Sequence, residues 1–263
     1  MQPPSKRWFI ADPLTEKAER ELQEYHPILR QILYNRGVTT AEAARQYVLA
    51  SPPDGSNPEN LSNMAPAVER LVSAIAQQEP IAVYGDYDAD GVTASALLVQ
   101  ALQRLNATVR GYIPDRFSEG YGLNLEALSA LKEEGIRLVI TVDCGIRSVQ
   151  EADHARAIGL DLIITDHHHP GSSIPQAIAV INPKLPGDLY PEKNLAGVGL
   201  AYKLAEALFR QTGQAETLIQ DYLDLVASDR EFHEYIVRKS GNSRLVTWWD
   251  QIMSQWEVLV SRR

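Results

Sequence analysis

Two periodicities divide the chain. PIAVYGD, ATVRGYIP, RLVITVD, LDLIITD and AIAVINP are short runs dominated by apolar residues and closed by Gly, Pro, Asn or Asp, the pattern of strands covered on both faces. MAPAVERLVSAIAQQ precedes the first run and VTASALLVQALQRL follows it; both place apolar residues three and four apart, as an amphipathic helix does. Helices also separate the later runs, and two more are predicted over about 194–212 and 214–227. Strands alternating with helices require right-handed crossovers and a parallel sheet. The expected fold is α/β: a parallel five-stranded sheet flanked by helices, with an N-terminal helical extension. In that extension ERELQEYHPILRQILYNRG keeps helical spacing up to a Gly stop, and TTAEAARQYVL opens with a Thr cap and an acidic first turn. SPPDGSNPENLSN is a loop by its Pro, Gly, Ser and Asn content. The expected division is 1–55 for the extension, 56–227 for the α/β domain and 228–263 for a helical tail. Trp248, Trp249, Ile252, Met253, Trp256, Leu259 and Val260 share one face of that tail, which is expected to pack against the core, with a partner or membrane surface as the alternative.

Composition narrows the class. At 263 residues with 44% apolar content, the chain can bury a large core. No apolar run reaches membrane-spanning length, and MQPPSKRWFIADPLTEK lacks the apolar core of a signal peptide. The one cysteine, Cys144, cannot form an internal disulfide and is expected to be a small buried residue. Together these features point to the cytoplasm and away from a membrane. The net charge of −9 argues against strong non-specific binding to nucleic acid, although two divalent cations would offset about four units of it.

The chemistry lies where the apolar runs end. AVYGDYDADGVTA holds Asp86, Asp88 and Asp90 between the first strand and its helix. Three like charges in five residues repel one another unless a cation sits among them, and hard oxygen ligands suit Mg²⁺ or Mn²⁺. The alternative is a solvated acidic turn with capping aspartates. Asp143 closes RLVITVD; taken alone, an aspartate there is more often a helix cap than a metal ligand. LDLIITD ends at Asp166 and is followed by His167, His168, His169 and Pro170, a metal- or phosphate-binding composition. In a parallel sheet these strand ends share one edge, so Asp86, Asp88, Asp90, Asp143, Asp166 and His167 are expected to converge.

The ordered series GDYDADG, VDCG and DHH resembles the motifs of the DHH phosphoesterases. LYNRG (Leu33–Gly37), RFSEGYGLN (Arg116–Asn124) and INPK…NLAGVGLAYKL (Ile181–Leu204) are similar to the RecJ-type single-strand-specific exonucleases. The resemblance covers about residues 8–227 and implies a two-metal site holding Mn²⁺ or Mg²⁺. It implies Asp143 as the bridging ligand, Asp88 and Asp90 each toward one metal, Asp86 in support, and His167 as a ligand oriented by Asp166. His168 would face the substrate phosphate or the leaving oxygen. Tyr84 stands where some members of the superfamily carry a metal-binding histidine. Arg116 is a candidate clamp for a terminal phosphate, or else a surface arginine. Gly197 and Gly199 would let phosphate approach a helix N-terminus, or else permit close helix packing.

The implied function is metal-dependent hydrolysis of single-stranded DNA from the 5′ end, in repair and recombination. Single-stranded DNA is the partner, with a single-strand-binding protein or a helicase as further candidates. One departure stands out. After YLDLVA the family continues into a fourth motif whose aspartate completes the metal site, and this chain instead reads SDREFHEYIVRKSGNS. Asp229, Glu231 and His233 lie nearby. The expectation is weak activity, or none, for this chain alone. A hydrolase of short oligonucleotides or pyrophosphate, and a non-enzymatic remnant, stand as alternatives.

Overall fold

The computed structural model describes residues 10–49, 54–115, 120, 122–214, 238 and 246, and these fall into two compact units divided between Asp54 and Gly55. The first contains three short helices: α1 (Glu16–Glu21), α2 (Pro27–Asn35) and α3 (Ala41–Val48). ERELQEYHPILRQILYNRG is therefore not one continuous helix. The break falls at His26, whose backbone is extended (φ −60°, ψ 142°) because the residue before a proline is kept out of the helical region. Pro27 then opens α2 at a position that needs no amide donor, and His26 Nδ1 accepts from the amide of Ile28. Thr40 caps α3 by accepting from the amide of Ala43. Leu22, Leu33 and Ala44 form the small core of this unit.

The second unit is a five-stranded, wholly parallel sheet. In chain order its elements are α4 (Met64–Ala76), β1 (Ile81–Gly85), α5 (Ala89–Arg104), β2 (Val109–Tyr112), α6 (Leu125–Glu133), β3 (Leu138–Val142), α7 (Val149–Ala157), β4 (Asp161–Thr165), β5 (Ala179–Ile181) and α8 (Gly197–Gln211). The strands run β2-β1-β3-β4-β5 across the sheet. Odd and even strand positions separate cleanly. Ile81, Val83, Leu138, Ile140, Val142, Ile163, Ala179 and Ile181 pack with α4, α5 and α8 on one face. Ala82, Tyr84, Val139, Leu162, Ile164 and Val180 pack with α6 and α7 on the other. Both faces are covered over β1, β3, β4 and β5, which is why these strands appear in the sequence as continuous apolar runs; β2, at the sheet edge, is partly exposed. The chain steps from β1 outward to β2, then returns to place β3 on the opposite side of β1. The crevice beyond the ends of β1 and β3 is thus the switch point where open α/β sheets place their ligands.

Register brings the motifs level. Gly85 pairs with Val142, Val142 with Thr165 and Thr165 with Ile181. The next residue on each of these four strands is Asp86, Asp143, Asp166 or Asn182, so three aspartates and an asparagine stand in a row along one sheet edge. All four are buried. Among the described residues, no helix is long and apolar enough to cross a membrane.

Candidate metal centre

Asp143 lies at the centre of the row. Its backbone is left-handed (φ 62°), an unusual conformation for a residue with a Cβ, and its amide donates to Thr165 O. The turn aims the carboxylate back over the sheet edge, where it is 1% exposed. Asp143 is not a helix cap: α7 begins after Ser148. Asp143 Oδ1 is the one buried side-chain polar atom, among the described residues, without a hydrogen-bond partner. Burial raises the Asp143 carboxyl to about 7, and the neighbouring charges of Asp90 and Asp88 add to the rise. Burial likewise raises Asp86, with Asp88 and Asp166 adding to it against the lowering effect of the Tyr87 amide.

Ligand atoms from Asp86, Asp88 and Asp143 lie within 4.8 Å of one another, and so do atoms from Asp143, His167 and His168. Asp143 belongs to both groups. His167 Nε2 stands 3.0 Å from Asp143 Oδ1 and 3.6 Å from Asp90 Oδ2. An orphaned buried carboxylate oxygen, ringed by further carboxylates and imidazoles, fits a hard divalent cation, which would satisfy it and relieve the repulsion. The donor set therefore fits Mn²⁺ or Mg²⁺.

The supporting contacts differ in part from those expected. Asp166 orients His168, not His167: its Oδ1 accepts from the His168 amide at 2.9 Å and from His168 Nδ1 at 2.8 Å, while its Oδ2 accepts from the Ile146 amide. Asp88 is both cap and candidate ligand, since its Oδ1 accepts from the amides of Asp90 and Gly91 at the start of α5. Asp90 reaches across to α8, where Oδ2 accepts from Gly197 N at 2.7 Å and Oδ1 from Val198 N at 2.8 Å. The helix N-terminus expected to receive phosphate is therefore occupied by a carboxylate of this same chain. Gly197 and Gly199 serve close packing. A Cβ on Gly197 would stand 2.7 Å from Asp143 Cβ and 2.8 Å from Asp143 Oδ1, and one on Gly199 would stand 3.1 Å from Leu195 Cδ2. Tyr84 is buried in the core on the α6 and α7 face, where its hydroxyl donates to Gly122 O and accepts from Asn124. Cys144 is buried, and burial pushes its thiol well up.

Arg116, Asp229, Glu231, His233 and the tail tryptophans lie outside the described residues. Asn182 was missed by sequence reasoning: its Nδ2 donates to His168 O and its Oδ1 accepts from the Lys184 amide, so it props the histidine run. Its position directly after a strand, like those of the aspartates, was the available signal.

Residues 80–228 match the model of the DHH family, N-terminal domain. The chain is 46% identical over 223 residues to the single-stranded-DNA-specific exonuclease RecJ of Bacillus subtilis, covering 84% of this chain and 28% of that protein. It is 38% identical over 235 residues to RecJ of Escherichia coli, covering 86% of this chain and 40% of that one. The solved structure of RecJ in complex with Mn²⁺ from Thermus thermophilus superposes with a TM-score of 0.58 at 34% identity, covering 75% of this chain and 27% of that chain. The chain thus spans well under half the length of these curated relatives.

Proposed function

The chain belongs to the DHH family, and on that footing we propose that it carries the metal-dependent centre of an exonuclease that hydrolyses single-stranded DNA from the 5′ end. The observation that carries this reading is the orphaned Asp143 Oδ1, shared between two groups of ligand-type side chains. In this reading Asp86, Asp88, Asp90, Asp143 and His167 hold Mn²⁺ or Mg²⁺. When bound, such cations make water nucleophilic near neutral pH and neutralise the phosphate. Asp166, as an acceptor, keeps the proton of His168 on Nδ1, leaving Nε2 bare to face a ligand or to take a proton. Asp90 fixes α8 against the centre, and each of its oxygens keeps a lone pair, so capping and metal contact are compatible.

Residues 56–227 are proposed as the hydrolytic domain, 1–55 as a helical extension and 228–263 as a divergent tail. A cytoplasmic setting, with a single-strand-binding protein or a helicase as further partner, accompanies the proposal. The test is release of nucleotides from 5′-phosphorylated single strands in Mn²⁺, beside the same assay on blunt duplex and on dinucleotides. Release from single strands in preference to duplex is expected. Equal rates on both, or action on dinucleotides alone, would overturn the reading.

A further inference from the structure

A cleft of about 580 Å³ opens from the histidine run toward the face of the sheet that carries α6 and α7. Arg147, from the loop after β3, and Lys184, from the loop after β5, line it with His169; Glu151 is its one acidic wall residue beside the buried Asp166; Leu123 and Ile146 are apolar wall residues. Both cations are tied to the backbone of the histidine run. Arg147 Nε donates to His169 O at 2.9 Å, and Lys184 Nζ donates to His167 O at 2.6 Å. These bonds use one donor of five on the guanidinium and one of three on the ammonium. Among the described residues neither cation has a carboxylate partner, whereas Arg70, Arg110, Arg156 and Arg210 of this unit do. Two positive groups left without counter-charge, held at fixed positions beside a metal-ligating row, are placed to take an anion.

We propose that Arg147 and Lys184 form a clamp for a second phosphate of the substrate strand, adjacent to the phosphate at the metal centre. The inference rests on the nuclease reading above for its substrate class. It gives an acidic chain a local hold on a polyanion without a basic surface. It also implies a minimum substrate: a molecule with one phosphate can occupy the metal centre but gains nothing from the clamp.

The test compares two probes by calorimetry on the full chain, with Ca²⁺ as the metal: pTpTpT, which carries three phosphates, and TpT, which carries one. The wild type is expected to bind pTpTpT more tightly. Arg147→Gln combined with Lys184→Gln is expected to weaken pTpTpT about tenfold or more, as loss of charge-assisted hydrogen bonds does, while leaving TpT and metal affinity within about twofold. Lys184→Arg is expected to restore most of the loss in the Arg147 wild-type background relative to Lys184→Gln. Equal affinity of wild type and double variant for pTpTpT would overturn the clamp. So would a parallel loss for TpT, which would mean that the two cations act only by holding the histidine run. Absence of pTpTpT binding by the wild type would overturn it too. Turnover in Mn²⁺ is measured separately. If the chain cleaves duplex and single strand equally while the binding difference persists, the nuclease reading fails and the clamp stands.

Discussion

Replacing Asp143 by Asn should stabilise the metal-free protein, and by an amount that depends on pH. Asn keeps the shape of the side chain and removes its charge. The folded carboxyl titrates near 7 against an ordinary value of 3.8. That difference corresponds to about 4 kcal/mol of extra cost for ionising Asp143 in the folded chain. The sign follows from linkage. Between pH 3.8 and 7 the unfolded chain releases this proton and the folded chain keeps it, so stability falls as pH rises and levels off above about 7. Asp143→Asn escapes that penalty. At about pH 8 in EDTA its melting temperature should exceed that of wild type by up to about 16 °C, from roughly 2–4 °C per kcal/mol for a domain of this size. The advantage should shrink steadily on acidification and vanish near about pH 4. Added Mn²⁺ should reverse the order, because only wild type gains a bound cation. A variant that melts below wild type under the same alkaline, metal-free conditions, or a difference independent of pH, would refute the argument that Asp143 is a buried carboxylate whose cost of ionisation the neighbouring imidazoles do not offset.

Gly197→Ala should weaken Mn²⁺ binding about tenfold or more by calorimetry, since the added Cβ would stand 2.7 Å from Asp143 Cβ and must displace either the carboxylate or α8. Asp90→Ala should lower stability by about 1.5–3 kcal/mol in denaturant unfolding, through loss of two charge-assisted bonds to the first turn of α8; Asp90→Asn should recover part of it. Asp166→Asn should cut turnover about ten- to hundredfold, because His168 Nδ1 then loses its charged acceptor.

The strands and the aspartates at their ends were legible because each is a local signal: an apolar run of strand length, then a charge. Convergence was legible as well, since parallel strands necessarily share an edge. Register was not. Only the pairing of Gly85, Val142, Thr165 and Ile181 reveals that Asp86, Asp143, Asp166 and Asn182 form one row. Partner choice was hidden for the same reason. Asp166 precedes both His167 and His168, and the turn geometry alone gives it to the latter. The cap of α8 comes from Asp90, 107 residues earlier, so the helix looked open at its N-terminus. The break at His26 was readable from Pro27, and helical spacing on both sides concealed it. The left-handed turn at Asp143 carries no sequence mark, because residues other than Gly rarely adopt it.

The metal centre proposed for this chain depends on Asp143 being the carboxylate on which it turns. Calorimetric titration of Mn²⁺ into wild type and Asp143→Ala, run slightly above neutral pH, addresses that dependence without recourse to turnover. Wild type should bind saturably, with protons released as Asp143 loses its raised affinity for them, and the variant should lose most of that binding. Equal Mn²⁺ affinity and equal proton release in the two proteins would contradict the assignment.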